Sequence, residues 1–371
     1  MKTLCLNMIV KNESHVIKRC LSSIKSIIDY WVIVDTGSTD GTQAMIQEML
    51  QGVPGELHEK PWVNFEHNRN EALQIARKKA DYLFFFDADE QLVLTEPFDK
   101  LLLKKDFYMI KAGGQGTEFF HPNIVSNDSG WHWVGVLHEC ITHTKKMAGE
   151  ILSGLYVKRP QDGARSLDPK KHYKDLEILE TAAKKEPWNS RHIFYIAQTY
   201  SALKEYPLAI KYYEKRTTME GDKDELFWTF FRLACLQEIM GVDPHIFITN
   251  HCKAHQQNSY RAEPLERMAH YYNTQKCYSL AYMICKFGVA MRMPNSLNSD
   301  FYPWVYEHGL LFQLAGSSFA LGYFEEAIEH YQKLLAVPTL PPDLRMQSAR
   351  QLNKAKQERK TKPDSSLQLL H

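Results

Sequence analysis

Hydrophobic positions follow two rhythms along the chain, and the change falls near Asp168. Upstream, short apolar runs alternate with stretches that are apolar every third or fourth residue. Leu4 to Val10 is a run of strand length, whereas Val16 to Ile28 carries Val16, Ile17, Cys20, Leu21, Ile24, Ile27 and Ile28 at helical spacing. Trp31 to Val34, Glu56 to Lys60 and Tyr82 to Phe86 read as further strands. Thr42 to Leu50, with Thr39 or Asp40 placed to cap it, and Asn68 to Ala80 read as helices. Strand and helix alternating in this way predict an α/β domain, Rossmann-like, with a mostly parallel sheet and crossover helices. Asp106 to Ala112, Glu118 to Val125 and Trp131 to Thr142 predict additional strands in mixed order.

Downstream, β-branched runs disappear and helical patterns take over. Asn189 to Tyr200 with Pro207 to Thr217, Glu263 to Tyr272 with Ser279 to Val289, and Leu311 to Leu321 with Phe324 to Leu335 read as helix pairs. In the last pair Ala315, Ala320 and Ala327 sit where two helices must approach, and Gly322 sits in the turn. That is the logic of tetratricopeptide repeats, here with irregular spacing. Ala197, Tyr200, Ala209 and Tyr212 read as packing residues, and Arg216 and Arg261 as buried ion-pair partners or ligands. The expected layout is an α/β domain over residues 1–167, an all-α TPR-like helical-repeat domain over 168–356, and a disordered tail over 357–371.

Composition narrows the class. A chain of 371 residues with 44% hydrophobic content can build two cores. Its net charge of +1 implies no broad basic face, so nucleic acid is not an expected partner. The seven cysteines show no Cys-x-x-Cys or zinc spacing, which fits free thiols in a reducing compartment. The apolar start reaches Lys11-Asn12-Glu13 too early for a secretory leader, and no run reaches membrane-spanning length. A soluble, cytoplasmic protein is the expectation.

The chemistry gathers at strand ends. The run Tyr82 to Phe86 stops at Asp87-Ala88-Asp89-Glu90. Ligands of open α/β sheets bind beyond the carboxyl ends of the strands. Two carboxylates there repel unless a cation sits between them, and a divalent metal holding a diphosphate would suit; an ordinary acidic loop is the alternative. Met8 to Glu13 ends a strand in groups that can face a nucleobase. In Val34-Asp35-Thr36-Gly37-Ser38-Thr39-Asp40-Gly41-Thr42 a strand delivers Asp35 at its tip, where it can accept from a base N–H or a ribose hydroxyl. Gly37 and Gly41 permit tight turning.

Met8-Ile9-Val10-Lys11-Asn12-Glu13, Val34 to Thr42, Asn68-Arg69-Asn70-Glu71-Ala72-Leu73 and Phe86-Asp87-Ala88-Asp89-Glu90, in that order, resemble glycosyltransferase family 2. The resemblance implies a GT-A catalytic domain that uses a nucleotide-diphosphate sugar and Mn2+ or Mg2+. By position, Val10, Asn12, Glu13, Asp35, Ser38, Asp87 and Ala88 would border the nucleotide, and Arg69 would face the base or diphosphate. Asp87 and Asp89 would bracket ribose and metal, with Asp89 the more direct ligand. Trp131-x-Trp133-x-Gly135-x-x-His138-Glu139, Asp162-Gly163-Ala164-Arg165-Ser166, Ile193 to Tyr200, Tyr213 to Arg216 and Arg261 to Leu265 resemble a subgroup whose catalytic domain precedes helical repeats. Peptide S-glycosyltransferases share this order. Members often carry a His shortly before the Asp-Gly pair, whereas this chain has Val157-Lys158-Arg159-Pro160, so either His138 serves as the third metal ligand or the cation is held more weakly; a hydrogen-bonded core histidine is the alternative role for His138.

The family reaction inverts the anomeric centre: an acceptor hydroxyl attacks while a carboxylate takes its proton. Glu139 is the candidate base, with Asp128 and Glu90 in reserve; a structural salt bridge is the alternative role for Glu139. Arg165, with Lys170 and Lys171, could close over the diphosphate or form a solvated turn. Trp131 and Trp133 could stack on a sugar or pack the core, and Trp62 and Phe65 could flank the nucleotide or do likewise. The expected activity is transfer of a hexose from a nucleotide sugar, UDP favoured over GDP, to a hydroxyl of a glycan or peptide, with the helical domain available for homo-oligomer contacts. The competing expectations are a binding scaffold built on a weakened catalytic domain, and a nucleotidyltransferase. The latter lacks its Gly-rich phosphate loop here.

Overall fold

In the computed structural model, which describes residues 2–114, 117–294 and 301–361, the first apolar run forms strand β1, Leu4–Val10, with all but Ile9 buried. Burial on both faces is what a central strand with a near-continuous apolar run requires. The succession then runs α1 (Ile17–Ile24), β2 (Tyr30–Asp35), α2 (Thr42–Met49), β3 (Gly55–Glu59), α3 (Phe65–Ile75) and β4 (Tyr82–Phe85). Next come β5 (Gln91–Leu94), β6 (Phe107–Gly114), β7 (Thr117–Ser126), β8 (Trp131–Val134), β9 (Cys140–His143) and β10 (Gly149–Lys158), then α4 (Ala164–Leu167) and α5 (Lys171–Lys185). Among the described residues the main sheet has eight strands in the order β3-β2-β1-β4-β7-β6-β10-β5. β1 pairs in parallel with β2 and β4, and β2 with β3, as the alternating rhythm predicts. β7 is antiparallel to both β4 and β6, which makes the sheet mixed.

One face of the sheet packs Leu6, Met8, Phe84 and Phe86 against Ile17, Leu21 and Ile24 of α1. The other packs Cys5, Leu83, Phe85 and Val125 against Leu73 and Ala76 and against Trp131, Trp133 and Ile141 of β8 and β9. α3 begins three residues earlier than the apolar pattern suggests, because Asn64 caps it by accepting from the His67 N–H at 2.8 Å.

Three expectations need correction. The single strand over Trp131 to Thr142 is a hairpin, β8 and β9 paired as a separate two-stranded sheet. Gly135 at φ +111° and His138 at φ +53° break the extended backbone between them. β5 and β10 were not anticipated; β10 contains two glycines and a register shift between Ile151 and Tyr156, which erases its alternation. The tail expected from residue 357 is helical as far as Thr361, within α14; residues 362–371 lie outside the described residues.

The chain divides into two units between Pro187 and Trp188. The boundary expected at 167/168 instead falls between α4 and α5 of the first unit, where buried Asp175 of α5 accepts from Arg165 of α4 at 2.5 Å. The second unit holds α6 (Ser190–Ala202), α7 (Tyr206–Thr217), α8 (Lys223–Ile239), α9 (Pro244–Gln257), α10 (Glu263–Thr274), α11 (Tyr278–Gly288), α12 (Leu310–Ala320), α13 (Phe324–Ala336) and α14 (Pro342–Thr361). Consecutive helices pack on one another. Ala197 and Ala209 are fully buried and the Tyr200 and Tyr212 rings stack at 5.4 Å, so these are packing residues. Arg261 pairs with buried Glu263 at 2.7 Å beneath Phe227 and Trp228, and Arg216 donates to the Met219 carbonyl at 3.0 Å.

Candidate active site

The parallel ladder brings the ends of β1, β2 and β4 to one edge, and with them most of the residues singled out above. Asp35 is fully buried at the tip of β2. Its Oδ1 accepts from the Gly37 and Ser38 amides at 2.8 and 2.7 Å, while its buried Oδ2 has no protein partner. A buried carboxylate oxygen without a donor is costly, and one aimed at a ligand edge fits a base or ribose donor. Gly37, at φ +105°, lets the loop fold back over the carboxylate. Asn12, at φ +55°, is part of the scaffold: its N–H donates to Ser38 Oγ at 2.8 Å and its Oδ1 accepts from the Thr39 N–H at 2.8 Å. The Val10 carbonyl accepts from the Thr36 amide at 2.9 Å, so these residues lock the first two loops together.

Glu13 accepts from the Ala164 N–H at 3.1 Å, which ties the end of β1 to the Asp162-Gly163 turn. Burial, reinforced by Asp89, pushes Glu13 up to about 7. The same turn is held from the other side by Arg19, which donates to both oxygens of Asp162 at 2.7 Å and to the Asp89 carbonyl at 3.1 Å. Gly163 is required by proximity, because a Cβ there would lie 2.9 Å from Asp89 Oδ2.

The two acids after β4 have different surroundings. Burial would raise Asp87, but Arg69 and Arg159 outweigh it and hold it below the ordinary carboxylate range. Asp89 is raised, by burial and by the charge of Asp87. Ala88 between them is buried. Glu90 turns inward, accepting from the Asp87 N–H at 3.0 Å and lying 2.5 Å from Arg159 Nε; burial pushes it up to about 7.

Arg69 does not project into open space. Its Nε donates to Glu139 Oε1 at 2.5 Å and one terminal nitrogen donates to Asp87 Oδ1 at 2.7 Å, with its plane over the Trp133 ring at 4.9 Å. Glu139 is thereby brought to the Asp87 edge, from the turn between β8 and β9 and not from a strand end. His138 precedes it in the same turn and is exposed. Asp128 is at the wrong end of the sheet: its neighbour Asn127 donates to the Asp81 carbonyl before β4 at 2.9 Å, whereas Asp87 follows β4. Asp128 accepts from His143 there at 2.7 Å, which removes it as a reserve base.

Trp131 and Trp133 are buried against Phe107 and Phe85, at 6.0 and 4.9 Å between ring centroids, so packing wins over sugar stacking. Trp62 meets Phe65 edge-on at 4.8 Å, and Arg165 lies over Phe65 at 4.6 Å while paired with Asp175. Three further residues surround the acids. Arg159 stands where members of the resembling subgroup often carry a histidine before the Asp-Gly pair, and its charge was the available signal. Arg19 had no signal beyond its position on α1. Neither had His121 on β7, which burial and the nearby Arg159 push down to about 3, so it is neutral at neutral pH.

Among the described residues no group of three or more His, Cys, Asp or Glu side chains converges as a metal site, so His138 is not gathered with Asp87 and Asp89. The mutual repulsion of those two acids is nonetheless the feature a divalent cation relieves, and hard cations complete their shell with water and phosphate oxygens.

Residues 5–93, which contain Asn12, Glu13, Asp35, Arg69, Asp87 and Asp89, match the model of glycosyl transferase family 2. Residues 5–93 form a family 2 glycosyltransferase domain. Among relatives, a TPR repeat-containing protein of Synechococcus elongatus is 37% identical over 95 residues, 25% of this chain and 22% of that one. The SPbeta prophage-derived glycosyltransferase SunS of Bacillus subtilis is 23% identical over 236 residues, 57% of this chain and 53% of that one. This chain therefore spans about half of SunS and a smaller part of the Synechococcus protein. A solved structure, the C-terminal part of a TPR repeat-containing protein from Cytophaga hutchinsonii, aligns with a TM-score of 0.41 at 15% identity, over 52% of this chain and 69% of that one. The family match thus ends just beyond the acids, and Glu139, Arg159 and Gly163 reach the same edge from segments that follow the matched residues.

Proposed function

We propose that the protein transfers a hexose from a nucleotide-diphosphate sugar, UDP favoured over GDP, to a hydroxyl of a glycan or peptide acceptor, with inversion at the anomeric carbon. The observation that carries this is the unpartnered, buried Oδ2 of Asp35 on the same strand-end edge as Asp87 and Asp89. Asp35 accepts from the base or ribose, with Asn12 and Ser38 keeping its loop in place. Asp87 and Asp89 are the residues that would hold Mn2+ or Mg2+, which neutralises charge on the departing diphosphate when bound. Arg159 and Arg165 add positive charge nearby. The acceptor oxygen attacks the anomeric carbon, the bond to the diphosphate breaks, and Glu139 takes the hydroxyl proton. Arg69 holds Glu139 in the free protein, so the arriving hydroxyl must displace or share that contact. His138 has no step assigned. Among the described residues no helix is long and apolar enough to cross a membrane.

Thermal shift against UDP- and GDP-sugars, with and without manganese, tests the donor assignment. Stabilisation by one nucleotide class, dependent on manganese and lost in Asp89→Ala, is the expected result. The absence of both nucleotide stabilisation and donor hydrolysis in the parent protein would overturn it.

A further inference from the structure

Beside the β8–β9 hairpin, on the face of the sheet that carries α3, runs a cleft of about 380 Å3. Its floor is Phe107 and Met109 of β6 with Phe120 and Pro122 of β7, and its wall is β9. β9 pairs with β8 on one side, and among the described residues no strand pairs with its other edge. The Thr144 N–H donates to the Gly130 carbonyl at 3.3 Å. The antiparallel alternation then turns the backbone groups of Cys140 and Thr142 toward β8, and those of Ile141 and His143 toward the cleft. The chain enters β9 directly from Glu139, the proposed base.

We propose that this cleft receives the acceptor as an extended peptide, paired to the free edge of β9 with its apolar side chains on the Phe107–Pro122 floor. The proposal rests on the transfer reading and names the acceptor class for it. An alkyl chain would cover the floor but leave the outward peptide groups of β9 without partners. An extended peptide satisfies both surfaces, because its backbone bonds sideways while alternate side chains point down. A four-residue strand offers roughly 13 Å of edge at about 3.3 Å per residue. The peptide residue at the Cys140 end is the one delivered to Glu139.

The test is calorimetry on the full chain with two probes: a blocked hexapeptide of alternating valine and serine, and the same peptide N-methylated at alternate amides. The unmodified peptide should bind at least about tenfold tighter than the methylated one, a difference of about 1.4 kcal/mol. Phe120→Ala, which removes part of the floor, and Thr142→Trp, which crowds the wall, should each weaken it several-fold, with folding checked by circular dichroism; either variant suffices if the other fails to fold. Octyl glucoside should not displace the peptide. Equal affinity for the two peptides, displacement by octyl glucoside, or unchanged binding in a folded variant would overturn the assignment. UDP binding with manganese is measured on the same samples. A parent protein that binds UDP but no peptide loses only the cleft assignment, whereas one that binds neither UDP nor a sugar donor fails as a transferase.

Discussion

Asp35 shows how one side chain can serve fold and ligand at once. Its Oδ1 holds the loop through the Gly37 and Ser38 amides, and its Oδ2 is buried and unspent. Asp35→Asn can keep the first function and invert the second, because an amide nitrogen replaces an acceptor. The expected result is a folded protein whose UDP affinity falls about 10- to 100-fold, the size of a charged hydrogen bond of about 1.5–3 kcal/mol; calorimetry reads it. Gly163→Ala makes a complementary point. The added methyl would press on Asp89 Oδ2 at 2.9 Å, so manganese-dependent stabilisation by UDP should weaken while UDP alone binds as before. The positions of these residues were visible in the sequence as acids and glycines at strand ends. Which oxygen was free was not, because that depends on loop amides folded back onto it.

At the scale of elements, the consequential contact joins α3, the end of β4 and the β8–β9 turn through Arg69. The family resemblance implied that Arg69 would face a base or diphosphate. The structure places two protein carboxylates there first. Arg69→Met should leave Glu139 without its counter-charge and Asp87 with Arg159 alone. Asp87 is 39% exposed and partly screened, so the loss should be about 2–3 kcal/mol in urea unfolding, below the full cost of breaking a buried pair. Donor hydrolysis should fall with it. A stability within about 0.5 kcal/mol of the parent would show that the clamp is not formed in solution. The strands that escaped detection, β5 and β10, are those whose apolar alternation is short or broken by glycine, whereas β1, β2 and β4 announced themselves by continuous burial.

At the scale of the molecule, stability should carry the signature of a histidine buried as the neutral ring. His251 of α9 lies 5.7 Å from Phe231, with neither ring nitrogen hydrogen-bonded, and burial pushes it down to about 3. Between pH 6.5 and about 3 the unfolded chain binds a proton that the folded chain refuses. Stability from this group is therefore present above pH 6.5 and lost as pH falls through that window, by up to about 1.4 kcal/mol per pH unit. His251→Phe should flatten this part of the profile in urea titrations at pH 5 and 7; an unchanged profile would place the ring in contact with water. What the sequence determined on its own was the order of elements in the first ninety residues, the change to helices and the acids at the strand ends, because burial periodicity and turn chemistry are local. Tertiary structure decided which acids meet which arginines, that Asp128 lies at the opposite edge from Asp87, and that β9, beside an apolar floor, pairs among the described residues with β8 alone. Those outcomes depend on strands far apart in the chain choosing neighbours, and no local pattern encodes that choice.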